Sequence, residues 1–181
     1  MPNEIKDILT ACQHNDRSAQ EKLYRNFYGY AMSICLPYTK DKTEAEEVAN
    51  DGFIKVFNHL SSYDSAQPFK GWLRRIMVNS AIDYYRRNKK HYNHDDIENA
   101  YDADSFDTSV IDQLSANEIM EQVQKLPPAY QLVFNLYAVE GYKHQEIAKQ
   151  LNISEGTSKS NLYKAKAKLK EKLELAHIKP N

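Results

Sequence analysis

The sequence predicts an all-α protein of two small helical domains joined by an acidic flexible linker, the C-terminal one containing a helix-turn-helix. Three observations lead there. Apolar residues recur at three- and four-residue spacings along most of the 181 residues, with only 5 Gly and 6 Pro to interrupt them. Charge is unevenly divided: residues 1–90 hold 14 Lys and Arg against 11 acids, 91–116 hold none against 7, and 117–181 hold 10 against 7, so the net charge of -1 averages unlike parts. Finally, residues 144–173 read as two helices meeting at a tight corner, the second heavily basic.

Composition narrows the class. With 41% hydrophobic and 27% charged residues the chain is an ordinary globular one. Its two cysteines, Cys12 and Cys35, form no CxxC pair and have no His cluster beside them, which argues against a disulfide framework or a zinc site and fits a reducing cytoplasm. The start MPNEIKDILT lacks the basic and apolar blocks of a signal peptide, and no apolar run approaches a membrane span, so no membrane insertion is expected.

Taken in order, Ile5, Ile8, Leu9 and Cys12 mark a first helix over 3–14. Ser18 with Glu21 reads as a capping box for a second, whose face Leu23, Phe27, Tyr30 and Ile34 runs to Leu36, where Pro37 stops it. Thr43 with Glu46 caps a third helix reaching Leu60. Its apolar positions 45, 48, 49, 53, 54, 56, 57 and 60 cover more arc than one core-facing stripe needs. Either it is buried on two sides, or one side, where Glu44, Glu46, Glu47 and Asp51 border Phe53, Ile54 and Phe57, awaits a partner.

Beyond the loop 61–67, Pro68 suits the first turn of a fourth helix reaching Lys90. Leu73, Ile76, Met77, Ser80 and Tyr84 form its inner stripe, while Asn79, Asp83, Arg86 or Arg87, and Lys90 share another face. Residues 69–90 carry 7 bases against 1 acid, interleaved with Trp72, Tyr84 and Tyr85 and preceded by Tyr63. Such a mixture suits single-stranded nucleic acid, charge for phosphate and rings for unstacked bases, although the same rings could be core. The stretch 91–116 has seven acids and little periodicity and reads as the linker; His91 and His94 flank acids there without a second ligand cluster, so no metal is expected.

Helices over 115–125 and, restarting at Leu126-Pro127-Pro128, up to Val139 follow, with Leu132, Val133, Leu136 and Tyr137 inward and Gly141 as C-cap. In the helix-turn-helix, Ile147 and Leu151 bury the first helix, Asn152 suits a left-handed corner, Ile153 plugs it, and Ser154 caps the second. That helix has Lys159, Lys164, Lys166, Lys168, Lys170 and Lys172 against Glu171, a charge of +5 over 159–172. A phosphate-lined major groove would suit it; a solvated hairpin at the end of a bundle is the plainer alternative.

With these segments placed, the chain resembles the bacterial RNA polymerase sigma factors of the extracytoplasmic function group, two-domain type. EAEEVANDGFIKVF is similar to the region 2 helix that docks on core polymerase, WLRRIMVNSAIDYYRR to the helix that melts and reads the minus-ten element, and LPPAYQLVFNLYAVEGYKHQEIAKQLNISEGTSKSNLYKAKAKL to region 4, which binds the minus-thirty-five element. The resemblance implies region 2 over 1–92, a linker over 93–115 and region 4 over 116–181. It assigns core-polymerase contact to Glu47, Asp51, Phe53, Ile54 and Phe57. It assigns minus-ten DNA to Tyr63, Trp72, Arg75, Asn79, Asp83, Arg86, Arg87 and Lys90. It assigns the minus-thirty-five groove to Ser154, Thr157, Lys159, Ser160, Asn161, Lys164 and Lys166.

Departures are visible: Lys143 replaces the usual capping Ser or Thr, Asn152 the usual Gly, Ser158 the usual Val, and Asn161 a common Arg, which would favour adenine if it reached a base edge. The implied function is promoter recognition and opening on behalf of core polymerase, as a monomer on the polymerase, with no cofactor and no catalysis by this chain; an anti-sigma factor is left open as a further partner. The competing reading is a helix-turn-helix repressor acting without polymerase. Paired carboxylates, a nucleophile with its base, and a Gly-rich phosphate loop are all missing from the sequence, which sets an enzyme third.

Overall fold

A computed structural model describes residues 2–92 and 116–177; the expected linker, 93–115, lies outside them. Among the described residues every regular element is helical. The chain divides into two compact units, Met1–Tyr84 and Tyr85–Asn181.

In the first unit α1 (Pro2–Gln13) packs on α2 (Arg17–Cys35), and α2 on α3 (Lys42–His59). A short turn of 3-10 helix, Leu36–Tyr38, accommodates Pro37 just after α2 ends. The caps differ from those read in the sequence. Asp16, not Ser18, starts α2: its carboxylate accepts from the Ala19 amide at 3.0 Å, after Asn15 turns the chain through a left-handed φ of 60°. Asp41, not Thr43, starts α3, accepting from the Glu44 amide at 2.9 Å. In both cases an acid two residues upstream displaces a hydroxyl, because a carboxylate serves the free amides and also answers the positive end of the helix dipole.

The core of this unit is formed by Leu23, Ala31, Ile34 and Cys35 of α2, Val48, Ala49, Phe53 and Val56 of α3, and Leu73, Met77, Val78 and Ile82 of α4 (Phe69–Tyr92). Burial pushes the Cys35 thiol up to about 12, so it stays protonated and behaves as a small apolar side chain. Pro68 sits just outside α4 rather than within its first turn, and its carbonyl accepts the Gly71 and Trp72 amides. Ile76, expected in the inner stripe, is only half-buried, whereas Val78, Ala81 and Ile82 are buried. The helix is therefore covered on a wider arc than the sequence stripe suggested.

Gly52 sets the approach of α3 and α4. A Cβ there would run into the Met77 thioether, with Ser80 Oγ at 3.6 Å. A glycine in mid-helix costs about 1 kcal/mol relative to alanine, and here it admits Met77.

The second unit is organised on α8 (Glu155–His177), against which α5 (Ala116–Val123), α6 (Pro128–Phe134) and α7 (His144–Leu151) pack. Ser158, Asn161, Leu162, Ala165 and Leu169 form its buried stripe. The helix begun at Pro128 does not run unbroken to Val139: residues Asn135–Val139 widen into a π turn, with the Glu140 amide donating to the Asn135 carbonyl and the Tyr142 amide to that of Leu136. The widened turn shifts the register by one residue. Leu136 stays buried, but Tyr137, expected inward, is 41% exposed and Val139 48%.

Gly52→Val should destabilise the protein by about 1–3 kcal/mol despite its gain in helix propensity, because two branched carbons must displace Met77. Urea unfolding of the full chain checks this. Adding Met77→Ala should return part of the loss.

Candidate nucleic-acid interfaces and docking face

The surplus apolar arc of α3 is not consumed by the fold. Ala45, Val48, Ala49, Phe53, Val56 and Leu60 are buried, while Ile54 is 57% exposed and Phe57 half-buried. Glu47 is exposed and Asp51 half-buried beside them. Phe53, expected as a surface contact, belongs instead to the core: its ring lies 4.7 Å from that of Tyr24 and 6.3 Å from that of Phe57. Phe53 thus supports Phe57 from below. Tyr24 and Tyr28 of α2, with ring centroids 5.3 Å apart, continue this ring series and were not identified from the sequence. They fall beside, not within, the stripe of Leu23, Phe27, Tyr30 and Ile34, and only the packing of α2 on α3 brings them to Phe53. Burial, and then the Glu46 carboxylate, push the Tyr28 phenol up.

On α4, spacings of 3, 4, 4 and 3 set Trp72, Arg75, Asn79, Asp83 and Arg86 along one face, opposite the buried stripe. Arg75, Arg86 and Arg87 are exposed and Asn79 half-buried; Lys90 continues the helix. Asp83 also meets Lys55 of α3, Nζ to carboxylate 2.8 Å, so it ties α4 to α3 as well as lying on this face. Both partners are partly exposed, and the pair contributes at most about 1 kcal/mol.

At the start of α4 four rings gather. Phe27 lies 4.9 Å from Phe69, Tyr63 5.5 Å from Phe69 and 5.2 Å from Trp72, and Trp72 5.8 Å from Phe69. Phe69 is buried, whereas Tyr63 and Trp72 are half-buried and keep part of their faces in solvent. Of the rings for which the sequence left core and stacking platform open, Tyr84 and Tyr85 are buried, whereas Tyr63 and Trp72 are only half-buried. The Tyr63 hydroxyl donates to the Gln67 carbonyl, and the Asp64 carboxylate accepts the Ala66 amide at 2.9 Å, which pins the loop between α3 and α4.

In the second unit the corner is formed as the sequence implies. Asn152 takes a φ of 52°, Ser154 Oγ accepts the Thr157 amide at 2.9 Å, and Ile147 and Leu151 are buried. Lys143 has no acceptor to offer as a cap, but the reciprocal half of a capping box survives, the Lys143 amide donating to Glu146 Oε2 at 2.7 Å.

On α8 the exposed side carries Lys159, with Lys166 and Lys170 at helical spacing from it and Tyr163 between. Tyr163 and Lys170, which are not among the residues the resemblance assigns to the groove, share this side by their spacing from Lys159. Ser154 is exposed; Thr157, Ser160, Lys164 and Lys166 are half-buried. Lys164 leans over the Tyr130 ring, 5.9 Å from its centroid, and Lys159 pairs with Glu155 at 2.8 Å. The Lys159 ammonium holds the Glu155 carboxyl below its usual range. Asn161 departs from expectation: it is 7% exposed, in the buried stripe, so its amide is covered by protein rather than offered to a base edge.

Among the described residues no group of His, Cys, Asp and Glu is arranged to hold a metal ion, and no helix is long and apolar enough to cross a membrane. Comparison with known proteins adds the following. The family model described as Sigma-70 region 2 matches residues 23–91, and that described as Sigma-70, region 4, matches residues 116–169. The ECF RNA polymerase sigma factor SigM of Bacillus subtilis is 28% identical over 83% of this chain and 92% of its own, and SigW of the same organism 26% identical over 93% and 96%. A solved structure, the sigma factor RpoE with the anti-sigma factor NepR from Bartonella quintana, aligns over 85% of this chain and 96% of that one at 18% identity and a TM-score of 0.49.

Replacing Ser154 by Ala should remove the one side-chain cap of α8 and cost about 1 kcal/mol, read as a lowered thermal midpoint. Thr157, whose hydroxyl lies 2.8 Å from Ser154 Oγ, does not accept its own amide and should not compensate.

Proposed function

The chain belongs to the sigma-70 family, in its extracytoplasmic function group, and directs RNA polymerase to promoters; we propose that it does so through three surfaces, each on a different helix. The exposed arc of α3, Ile54 and Phe57 bordered by Glu47 and Asp51, docks on core polymerase. The outer face of α4, with Trp72, Arg75, Asn79, Asp83, Arg86, Arg87 and Lys90, meets the minus-ten strand as it opens, the half-open rings of Tyr63 and Trp72 offering a place for an unpaired base. Ser154, Thr157, Lys159, Ser160, Lys164 and Lys166 at the start and exposed side of α8 meet the minus-thirty-five groove, joined by Tyr163 and Lys170.

In this reading region 2 occupies 1–92 and region 4 occupies 116–181, with 93–115 as the tether, and the protein works where the polymerase does, in the cytoplasm. Chemistry is left to the polymerase: the chain contributes position, charge and a trap for unstacked bases. Each half carries a formal charge of only +3, so duplex affinity of the isolated chain is modest and tight promoter binding belongs to the complex with polymerase.

The observation that carries this reading is Ile54. A branched aliphatic side chain, 57% exposed on the central helix and flanked by a half-buried phenylalanine and two acids, has the composition of an interface centre and rim. A repressor acting without polymerase would leave this surface unused.

Ile54→Lys should lower affinity for core polymerase by at least about tenfold, while the thermal midpoint of the free chain stays within a few degrees because little buried area is lost. Sedimentation with core polymerase and a melting curve decide it. Undiminished co-sedimentation would remove α3 as the docking face.

A further inference from the structure

The departure at Ser158 has a partner. Ser158 is fully buried on α8, at a position where the resemblance calls for valine, and a buried hydroxyl without a partner is costly. Here His144, the first residue of α7, brings its Nδ1 to 2.9 Å from Ser158 Oγ. The ring's second contact comes from the π turn. Tyr137, swung outward by the widened helix, stacks on the His144 ring at 4.7 Å with 22° between planes. One imidazole therefore joins three elements at the entrance to the helix-turn-helix: its own α7, the π turn and α8.

We propose that His144 is a positioning residue for promoter recognition, a joint that holds α8 against α7 through Ser158 and against the π turn through Tyr137, and that is weakened when its ring is protonated. The inference rests on the assignment of α8 to the minus-thirty-five groove and goes beyond it. A neutral imidazole and a hydroxyl can bond in either sense, with Nδ1 accepting or donating. An imidazolium has two donors and no acceptor, so Ser158 could only accept, and a full charge would be held where the ring is partly desolvated between Tyr137 and α8.

The charges facing the ring are mixed, with a balance against a further cation: from α8, Lys159 and then Lys166 oppose it and Glu155 favours it, while the π turn contributes the neutral phenol of Tyr137. Desolvation first, then Lys159, hold the His144 pKa below the ordinary histidine value. The sign follows. Because the folded value lies below the unfolded one of about 6.5, the contribution of the joint is complete above that pH and is lost as the pH falls from about 6.5 through the lowered folded value.

The test uses the full chain bound to core polymerase and a duplex whose minus-thirty-five element has been selected by that complex from random sequence. His144→Phe and Ser158→Val should each weaken binding, by about tenfold, since each leaves one polar group of the joint without its partner. The double variant, an apolar pair, should recover to within about twofold of the parent. Between pH 7.5 and 5.5 the parent should lose affinity more steeply than the double variant, a difference that cancels any titration of polymerase or DNA. Lys164→Ala, which is not among the charges facing His144, is the control for the interface itself. A parent profile parallel to that of the double variant, or a double variant no better than the singles, overturns the joint while a loss in Lys164→Ala leaves the interface standing. If Lys164→Ala also binds as tightly as the parent, the placement of α8 in the groove fails, and the joint with it.

Discussion

The close crossing of α3 and α4 at Gly52 is the constraint on which the first unit depends. Met77 occupies the space a Cβ would fill, Leu73, Ser80 and Tyr84 bury along the same side of α4, and Lys55 reaches Asp83 across the crossing. A helix turns about 100° per residue, so once that stripe is fixed the opposite face is fixed too. Trp72, Arg75, Asn79 and Arg86 face outward as a consequence of what Met77 does inward. The same crossing commits Val56 and Phe53 of α3 to the core and leaves Ile54 exposed and Phe57 half-covered. The proposed docking surface and the proposed strand-facing surface are thus geometric complements of one packed contact.

In the second unit α8 plays both parts alone. Leu162, Ala165 and Leu169 bind it to its neighbours, and Lys159, Lys166 and Lys170 occupy the other side, where their mutual repulsion is relieved by solvent and would be relieved further by phosphate. The π turn before α7 gives this small unit a feature that a straight helix would lack. It releases Tyr137 from the core to stack on His144, at the entrance to the helix-turn-helix.

Periodicity carried most of the fold because apolar spacing is a direct image of which side of a helix is dry. Ile147, Leu151, Leu132 and Val133 were legible in that way, and so was the corner, since Asn152 and Ser154 act through local backbone chemistry. What remained hidden depends on competition or on contacts distant in sequence. Asp16 and Ser18 are both good caps, and Asp41 and Thr43 likewise; only the path of the preceding turn selects between them. The π turn has no apolar signature, so Tyr137 was assigned to the wrong side. Phe53 and Asn161 were read as surface by correspondence of position, whereas burial is decided by neighbours: Tyr24 covers the one, and the other shares the stripe of Leu162 and Ala165.

The proposed surfaces divide the labour: α8 would hold duplex and the outer face of α4 the opened strand. The most direct measurement compares Asn79→Ala with the parent, each with core polymerase, for closed-complex affinity at low temperature and for the rate of strand opening followed by a fluorescent base in the minus-ten element. Asn79 is half-buried on that face and outside the packed stripe. Asn79→Ala should slow opening and leave closed-complex affinity unchanged. Weakened closed binding with an unaltered opening rate would contradict this division of labour.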